Sequence, residues 1–141
     1  MLINFKTLQT ISKDLSLLYV EDDQSIRDKT AVIFKNLFNH IDIAEDGQEG
    51  LELYNKYKED NSKHYDIVVT DIQMPRLDGI GLAKEIVNVN KNQKIIIISA
   101  YDDKEYLIDL INLGIDAFME KPISSDNLLK VLYEVCSSLN E

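Results

Sequence analysis

The sequence predicts an α/β fold, a five-stranded parallel sheet with helices on both faces. Three observations lead there. Five short apolar runs alternate strictly with segments of helical period. Three of those runs are apolar almost throughout, as strands covered on both faces must be. The chain has 141 residues, the length of one domain with a sizeable core.

Taken in order, the strand candidates are LSLLYV (15–20), HIDIA (40–44), DIVVT (66–70), KIIIIS (94–99) and AFME (117–120). After the first, Ile26, Val32, Ile33, Leu37 and Phe38 form a helical stripe; after the second come Leu51, Leu53, Tyr54 and Tyr57. Ile80, Leu82, Ala83, Ile86 and Val87 follow the third. Tyr106, Leu107, Leu110, Ile111 and Leu113 follow the fourth, and Leu128, Leu129, Val131, Leu132 and Val135 close the chain. Gly114 stands where a helix-ending glycine belongs, and Ser124, Ser125 and Asp126 offer capping oxygens before the last stripe. The polar segment KYKEDNSKHY (56–65) reads as a long surface loop. Residues 1–14 form an N-terminal extension in which Leu2, Phe5, Leu8 and Ile11 have the spacing of a short helix. The main domain is read as 15–137, with 138–141 as a tail.

Composition narrows the function. Apolar residues make up 45% and charged residues 28%, which is globular rather than disordered. Fifteen basic against 25 acidic residues leave a net charge of −10, a field that repels phosphate backbones and anionic lipid. Neither direct nucleic-acid binding nor membrane binding is expected. The single cysteine, Cys136, excludes an internal disulfide and a multi-cysteine metal site, and it fits a reducing compartment. MLINFKTLQTISKD lacks the apolar core and small-residue cleavage site of a signal peptide, and IIII (95–98) is too short to span a bilayer. A cytoplasmic location is expected.

In YDIVVTDIQMPRLDG (65–79) an apolar strand ends in an aspartate and runs into a proline turn. A lone carboxylate at a buried strand end is costly, so Asp71 either caps the next segment or has partners that offset it. In an open parallel sheet, ligands sit beyond the carboxyl ends of the strands. The residues there are Glu21, Asp22 and Asp23 after the first strand, Asp71 after the third, Ser99 after the fourth and Lys121 after the fifth. Glu21, Asp22 and Asp71 on one edge would repel one another unless a hard divalent cation joined them, and Mg²⁺ is the usual one where carboxylates and a phosphate share the shell. Lys121 supplies an opposing positive charge, and the Ser99 hydroxyl suits a phosphoryl oxygen. Singly, each residue has a plainer reading. Asp71 could be a turn aspartate, Glu21 to Asp23 a solvated run opening a helix, Lys121 a surface lysine and Ser99 a strand-end hydroxyl.

Together, LLYVEDD, VVTDIQMPRLDG, IIIISA and FMEKPI resemble, in this order, the receiver domain of two-component response regulators. The resemblance implies a flavodoxin-like (βα)5 sheet of order 2-1-3-4-5. It implies Asp71 as phosphoacceptor, with Mg²⁺ (or Mn²⁺) held directly by Asp22, through water by Glu21, and by Asp71 and the Gln73 backbone carbonyl. Lys121 and Ser99 would bond the phosphoryl group. Phe118 would turn inward as Ser99 moves, remodelling the face of the fourth helix, fifth strand and fifth helix. Its partners would be a sensor histidine kinase or phosphotransfer protein, and a downstream effector or fused output domain. Homodimerisation on phosphorylation is a further state the resemblance leaves open. So is whether the chain acts alone or belongs to a longer regulator or hybrid kinase.

By the same resemblance Pro75 keeps Met74 out of the helical region, and Gly79 permits the turn that follows. Gln73 and Tyr101 fall where the family tunes dephosphorylation, and Tyr101 is expected to shield the acyl phosphate. LGIDAFMEKPI departs from the LGADDY…KPF pattern of winged-helix regulators, which argues against their salt-bridged dimer. Arg27 and Asp78 read as surface pairing and turn residues, His40 and His64 as surface histidines, and Cys136 as half-buried. The main alternative is a Mg²⁺-dependent phosphatase or phosphotransferase of the haloacid dehalogenase type, but that class needs a second acid where Gln73 stands. A flavodoxin-like electron carrier is the other; three acids in its phosphate loop would repel the flavin phosphate.

Overall fold

The computed structural model describes residues 3–140. Five strands, β1 (Ser16–Val20), β2 (His40–Ala44), β3 (Ile67–Asp71), β4 (Lys94–Ser99) and β5 (Ala117–Glu120), form one parallel sheet of order β2-β1-β3-β4-β5. The helices are α1 (Phe5–Ser12), α2 (Gln24–Leu37), α3 (Gly47–Asn61), α4 (Gly79–Val89), α5 (Lys104–Asn112) and α6 (Ser125–Leu139).

The two-residue period of a strand explains the layers. Leu17, Tyr19, Ile67, Val69, Ile96, Ile98 and Met119 point to one face and pack against α1, α2 and α6. Leu18, Val20, Val68, Ile95 and Ile97 point to the other and meet α3, α4 and α5. The IIII run is thus shared between two cores, which is why it does not alternate.

Five of the six helix starts, all but that of α5, are capped by a short polar side chain. Asn4, Asp23, Asp46, Asp78 and Ser124 accept from the amides of Thr7, Ile26, Glu49, Gly81 and Asn127. Asp78 is therefore a helix cap as well as a turn residue. At the end of α5, Gly114 takes φ +93, the left-handed backbone that glycine adopts at least cost.

The N-terminal helix is present from Phe5 and buries Leu8 completely; Leu2 lies outside the described residues. It is laid across the carboxyl ends of α2 and α6. Ser12 Oγ donates to the Leu37 carbonyl at 2.6 Å, Gln9 Nε2 to that of Asn36 at 2.8 Å, and Asn140 Nδ2 to that of Ile11 at 3.2 Å.

Three expectations need correction. The segment 56–65 is mostly not loop, because α3 continues to Asn61 and ends at Ser62, whose φ is +59. Tyr57 keeps the stripe on the inside, stacked on Tyr65 at 4.1 Å, while Lys56 and Asp60 pair outside at 2.9 Å. Of the two histidines, His40 is exposed as expected, with an acid partner, but His64 is not a surface residue. His40 Nε2 lies 2.8 Å from Asp42 Oδ2, and half-buried His64 stacks on Tyr54 at 4.9 Å, where burial and then Lys58 hold its pKa below the usual value. Cys136 is fully buried, and burial pushes its thiol up to about 12. A disulfide-exchange reagent at pH 8 is therefore expected to label Cys136 only on unfolding; rapid stoichiometric labelling of the native protein would refute this placement.

Candidate functional site

The carboxyl ends of β1, β3 and β5 bring the acids and the lysine together. Glu21 follows β1 and is fully buried, Asp71 ends β3 at 3% exposure, and Asp22 is exposed beside them. One carboxylate oxygen from each lies within 4.8 Å of the others. Lys121 Nζ donates to Asp71 Oδ2 at 2.7 Å and stands 3.8 Å from Glu21 Oε1. The other Asp71 oxygen accepts from the Ile72 amide at 2.9 Å. Asp71 is therefore no helix cap; Asp78 has that role for α4.

Glu21 shows what the site lacks by itself. Its Oε2 accepts from the Asp23 amide at 3.1 Å, but its Oε1 is buried without a hydrogen-bond partner. Burial first, then the charge of Asp71, pushes its carboxyl up to about 8, against the pull of the Asp23 amide and Lys121. Burial alone would lower Lys121, but its bond to Asp71 and the charges of Glu21 and Asp22 raise it overall. An orphaned carboxylate oxygen in a three-acid cluster fits a hard divalent cation, whose oxygen ligands would include Glu21, Asp22 and Asp71.

Neighbouring loops hold this edge. Arg27 Nη1 donates to the carbonyls of Glu21 at 2.9 Å and Asp22 at 3.3 Å, and Nη2 lies 3.7 Å from Glu45. Its role is to fix the acidic loop, not merely to pair on the surface. Arg76, at φ +68, reaches Asp46 at 3.1 Å. Gly79 is required by close approach, since a Cβ there would sit 2.1 Å from the Asp71 carbonyl oxygen. This differs from the expected turn requirement: Gly79 has no positive φ.

A cavity of about 320 Å³ opens here, with Glu21, Asp22, Asp71, Gln73, Ala100 and Lys121 in its wall. Ser99 is buried just behind Ala100, and the Lys121 amide donates to its carbonyl at 2.8 Å. Phe118 is half-buried against the core beneath α3, α4 and α5 and is not in the cavity wall. Tyr101 does not cover the cavity. It is 84% exposed, with Lys104 Nζ 4.4 Å from its ring centre. Sequence reasoning missed Asp103, which is 1% exposed and accepts from the Gln73 side-chain amide and from the Ala100 backbone amide. Its local signal was only that of an acid opening a helix.

Sheet order, helix layers and an acidic pocket facing one lysine define a class, the receiver switches of two-component signalling. The chain belongs to the response regulator receiver domain family, whose model matches residues 17–133. It is similar to the chemotaxis protein CheY of Bacillus subtilis (strain 168), with 36% identity over 101 residues, 72% of this chain and 79% of that one. Among solved structures it resembles a chain of the CheX–CheY complex with beryllium fluoride and magnesium from Borrelia burgdorferi, at TM-score 0.74 and 30% identity over 94% of each chain. A receiver domain protein from Clostridium thermocellum superposes at TM-score 0.79 over 89% of this chain and 97% of its own; at 21% identity this speaks to the fold. The chain spans smaller shares of other relatives, 51% of a transcriptional regulatory protein from Brevibacillus brevis and 22% of a two-component response regulator from Arabidopsis thaliana. Receiver domains are signalling switches rather than enzymes in general, and the phosphatase alternative gains no support from these matches. Among the described residues, no helix is long and apolar enough to cross a membrane.

Proposed function

We propose that Asp71 accepts a phosphoryl group and that the chain signals through the change that follows. The observation that carries this reading is the Asp71–Lys121 contact at 2.7 Å beside a buried, unpartnered Glu21 oxygen. An Asp71 carboxylate oxygen forms a bond to phosphorus while the phosphorus–nitrogen bond of a phosphohistidine breaks. The electron pair leaves with the imidazole, which takes a proton, and an acyl phosphate remains. Lys121 moves from pairing the carboxylate to pairing the phosphoryl oxygens. Asp22, Asp71, the Gln73 carbonyl and, through water, Glu21 would hold Mg²⁺ (or Mn²⁺), which would supply positive charge against the transferring group.

Ser99 then bonds a phosphoryl oxygen and Phe118 moves inward, which alters the α5–β5–α6 face. A phosphoryl group brings roughly −1.5 to −2 charges and three acceptors, enough to bias a two-state loop. Ile108 and Ile111 on α5 are exposed at 65% and 57%, as a partner-binding face would have them. The donor is a histidine kinase or phosphotransfer protein, and the recipient is an effector or a fused output domain. The switch unit assigned is 15–137, with 1–14 ahead of it and 138–141 behind. The test is incubation with Mg²⁺ and a small phosphodonor, followed by intact mass. One phosphoryl adduct, absent when the metal is chelated, is expected; an unmodified mass under both conditions would sink the reading.

A further inference from the structure

We propose that Asp103 is an internal competitor for the phosphoryl group, a positioning residue whose carboxylate occupies two donors of the pocket until Asp71 is modified. This rests on the reading of Asp71 as the phosphoacceptor.

Asp103 lies in the short turn between β4 and α5 and is 1% exposed. Its Oδ2 accepts from the Ala100 amide at 2.7 Å, the first amide after Ser99. Its Oδ1 accepts from Nε2 of Gln73, two residues after Asp71 in the loop that follows β3. Gln73, Ala100 and Asp103 line the same cavity as Asp71 and Lys121. One buried carboxylate therefore spans the loops after β3 and β4.

Capping the turn would need only the Ala100 bond. The second bond joins two loops that must adapt when a new anion arrives between them. Both donors suit a phosphoryl oxygen; the Ala100 amide has one N–H and cannot serve that oxygen while it serves Asp103, and the Gln73 amide has one of its two N–H groups committed. A phosphoryl group on Asp71 would also repel Asp103 in a setting where water screens little. Phosphorylation thus favours release of Asp103. The Ala100 amide and the Gln73 side chain turn to the phosphoryl group, and the segment carrying Tyr101 into α5 is freed. The unmodified state is held by an acid standing where the signal's own oxygens would be.

The experiment is a titration of beryllium fluoride with Mg²⁺ into the nitrogen-15-labelled full chain, read by amide NMR, for wild type, Asp103→Asn and Asp103→Ser. Both variants are expected to bind beryllium fluoride about three- to tenfold more tightly, because a competing anion is gone while a capping oxygen remains. In the wild type, the Ala100 amide and Gln73 side-chain amide resonances should shift on saturation. Equal or weaker binding in folded variants would mark Asp103 as a turn-stabilising residue and overturn the proposal. So would a wild type that binds with both of those resonances unmoved, whatever the variants do. A wild type that fails to bind would instead remove the phosphoacceptor reading, and this inference with it.

Discussion

Asp71→Asn is expected to abolish the phosphoryl adduct and, in metal-free solution, to make the protein more stable. The first effect follows from chemistry. An amide has no anionic oxygen to attack phosphorus, and no other carboxylate at this edge combines burial with a lysine at 2.7 Å. Intact mass after phosphodonor treatment should show complete loss, and an adduct persisting in the variant would overturn the assignment. The second effect follows from crowding. Asp71 and Glu21 share a small buried volume with one lysine between them. Above about pH 8, where Glu21 is ionised beside Asp71, removing one of the two like charges relieves repulsion and leaves Lys121 to Glu21, for a gain of about 1 kcal/mol. Chemical denaturation with a chelator present measures it. A loss of that size or more would mean that the Lys121–Asp71 pair outweighs the repulsion.

The two effects together express a common trade, in which a site is kept less stable than its shape allows so that it can bind and react. Here the strain is electrostatic and local. Ties around the pocket oppose it: Arg27 on the carbonyls of the acidic loop, the Arg76–Asp46 side-chain pair, and the Lys121 amide on the Ser99 carbonyl. Arg27 ties α2 to the loop after β1, Arg76 joins the loops after β3 and β2, and the Lys121 amide joins the ends of β5 and β4, so the acids cannot relax by spreading apart.

The meeting of Glu21, Asp22, Asp71 and Lys121 was readable because it follows from topology. Strand ends in a parallel sheet converge, and a charged residue directly after an apolar run must lie on that edge. The layers were readable for a similar reason, since runs without alternation need cover on both sides. What escaped was side-chain traffic between distant segments. Nothing local to Asp103 or Gln73 distinguishes a bond spanning 30 residues from two separate surface groups. The outer face of α3 misled for another reason. Its last turn is polar because it faces water, and beyond Tyr57 no apolar residue continues the stripe, so the polar run looks like loop. Tyr101 was assigned from its place in the chain, but a short turn after β4 carries the ring outward.

Without divalent metal, stability is expected to fall as pH rises from about 6.5 to 8, and added Mg²⁺ to counter the fall. Glu21 drives this. Its carboxyl titrates near 4.5 when unfolded and at about 8 when folded. Between those values the folded state holds a proton that the unfolded state has released, so raising the pH favours unfolding, by at most about 1.4 kcal/mol per pH unit for one group. Above about 8 both states are ionised and the loss levels off. His64 acts with the opposite sign. Its folded pKa lies below the usual 6.5, so its contribution is present above that range and lost as pH falls through it. Lys121 is raised from 10.5, so its contribution is complete below that value and changes only at higher pH. Glu21 therefore dominates from 6.5 to 8, with the opposing His64 contribution fading as pH rises above 6.5. Mg²⁺ prefers the ionised carboxylate and releases its proton, so the stabilisation by metal should be larger at pH 8 than at 6.5. Melting curves at the two pH values, with and without Mg²⁺, measure both slopes. Glu21→Gln should flatten the metal-free slope; a wild-type slope that survives this substitution would place the titrating group elsewhere.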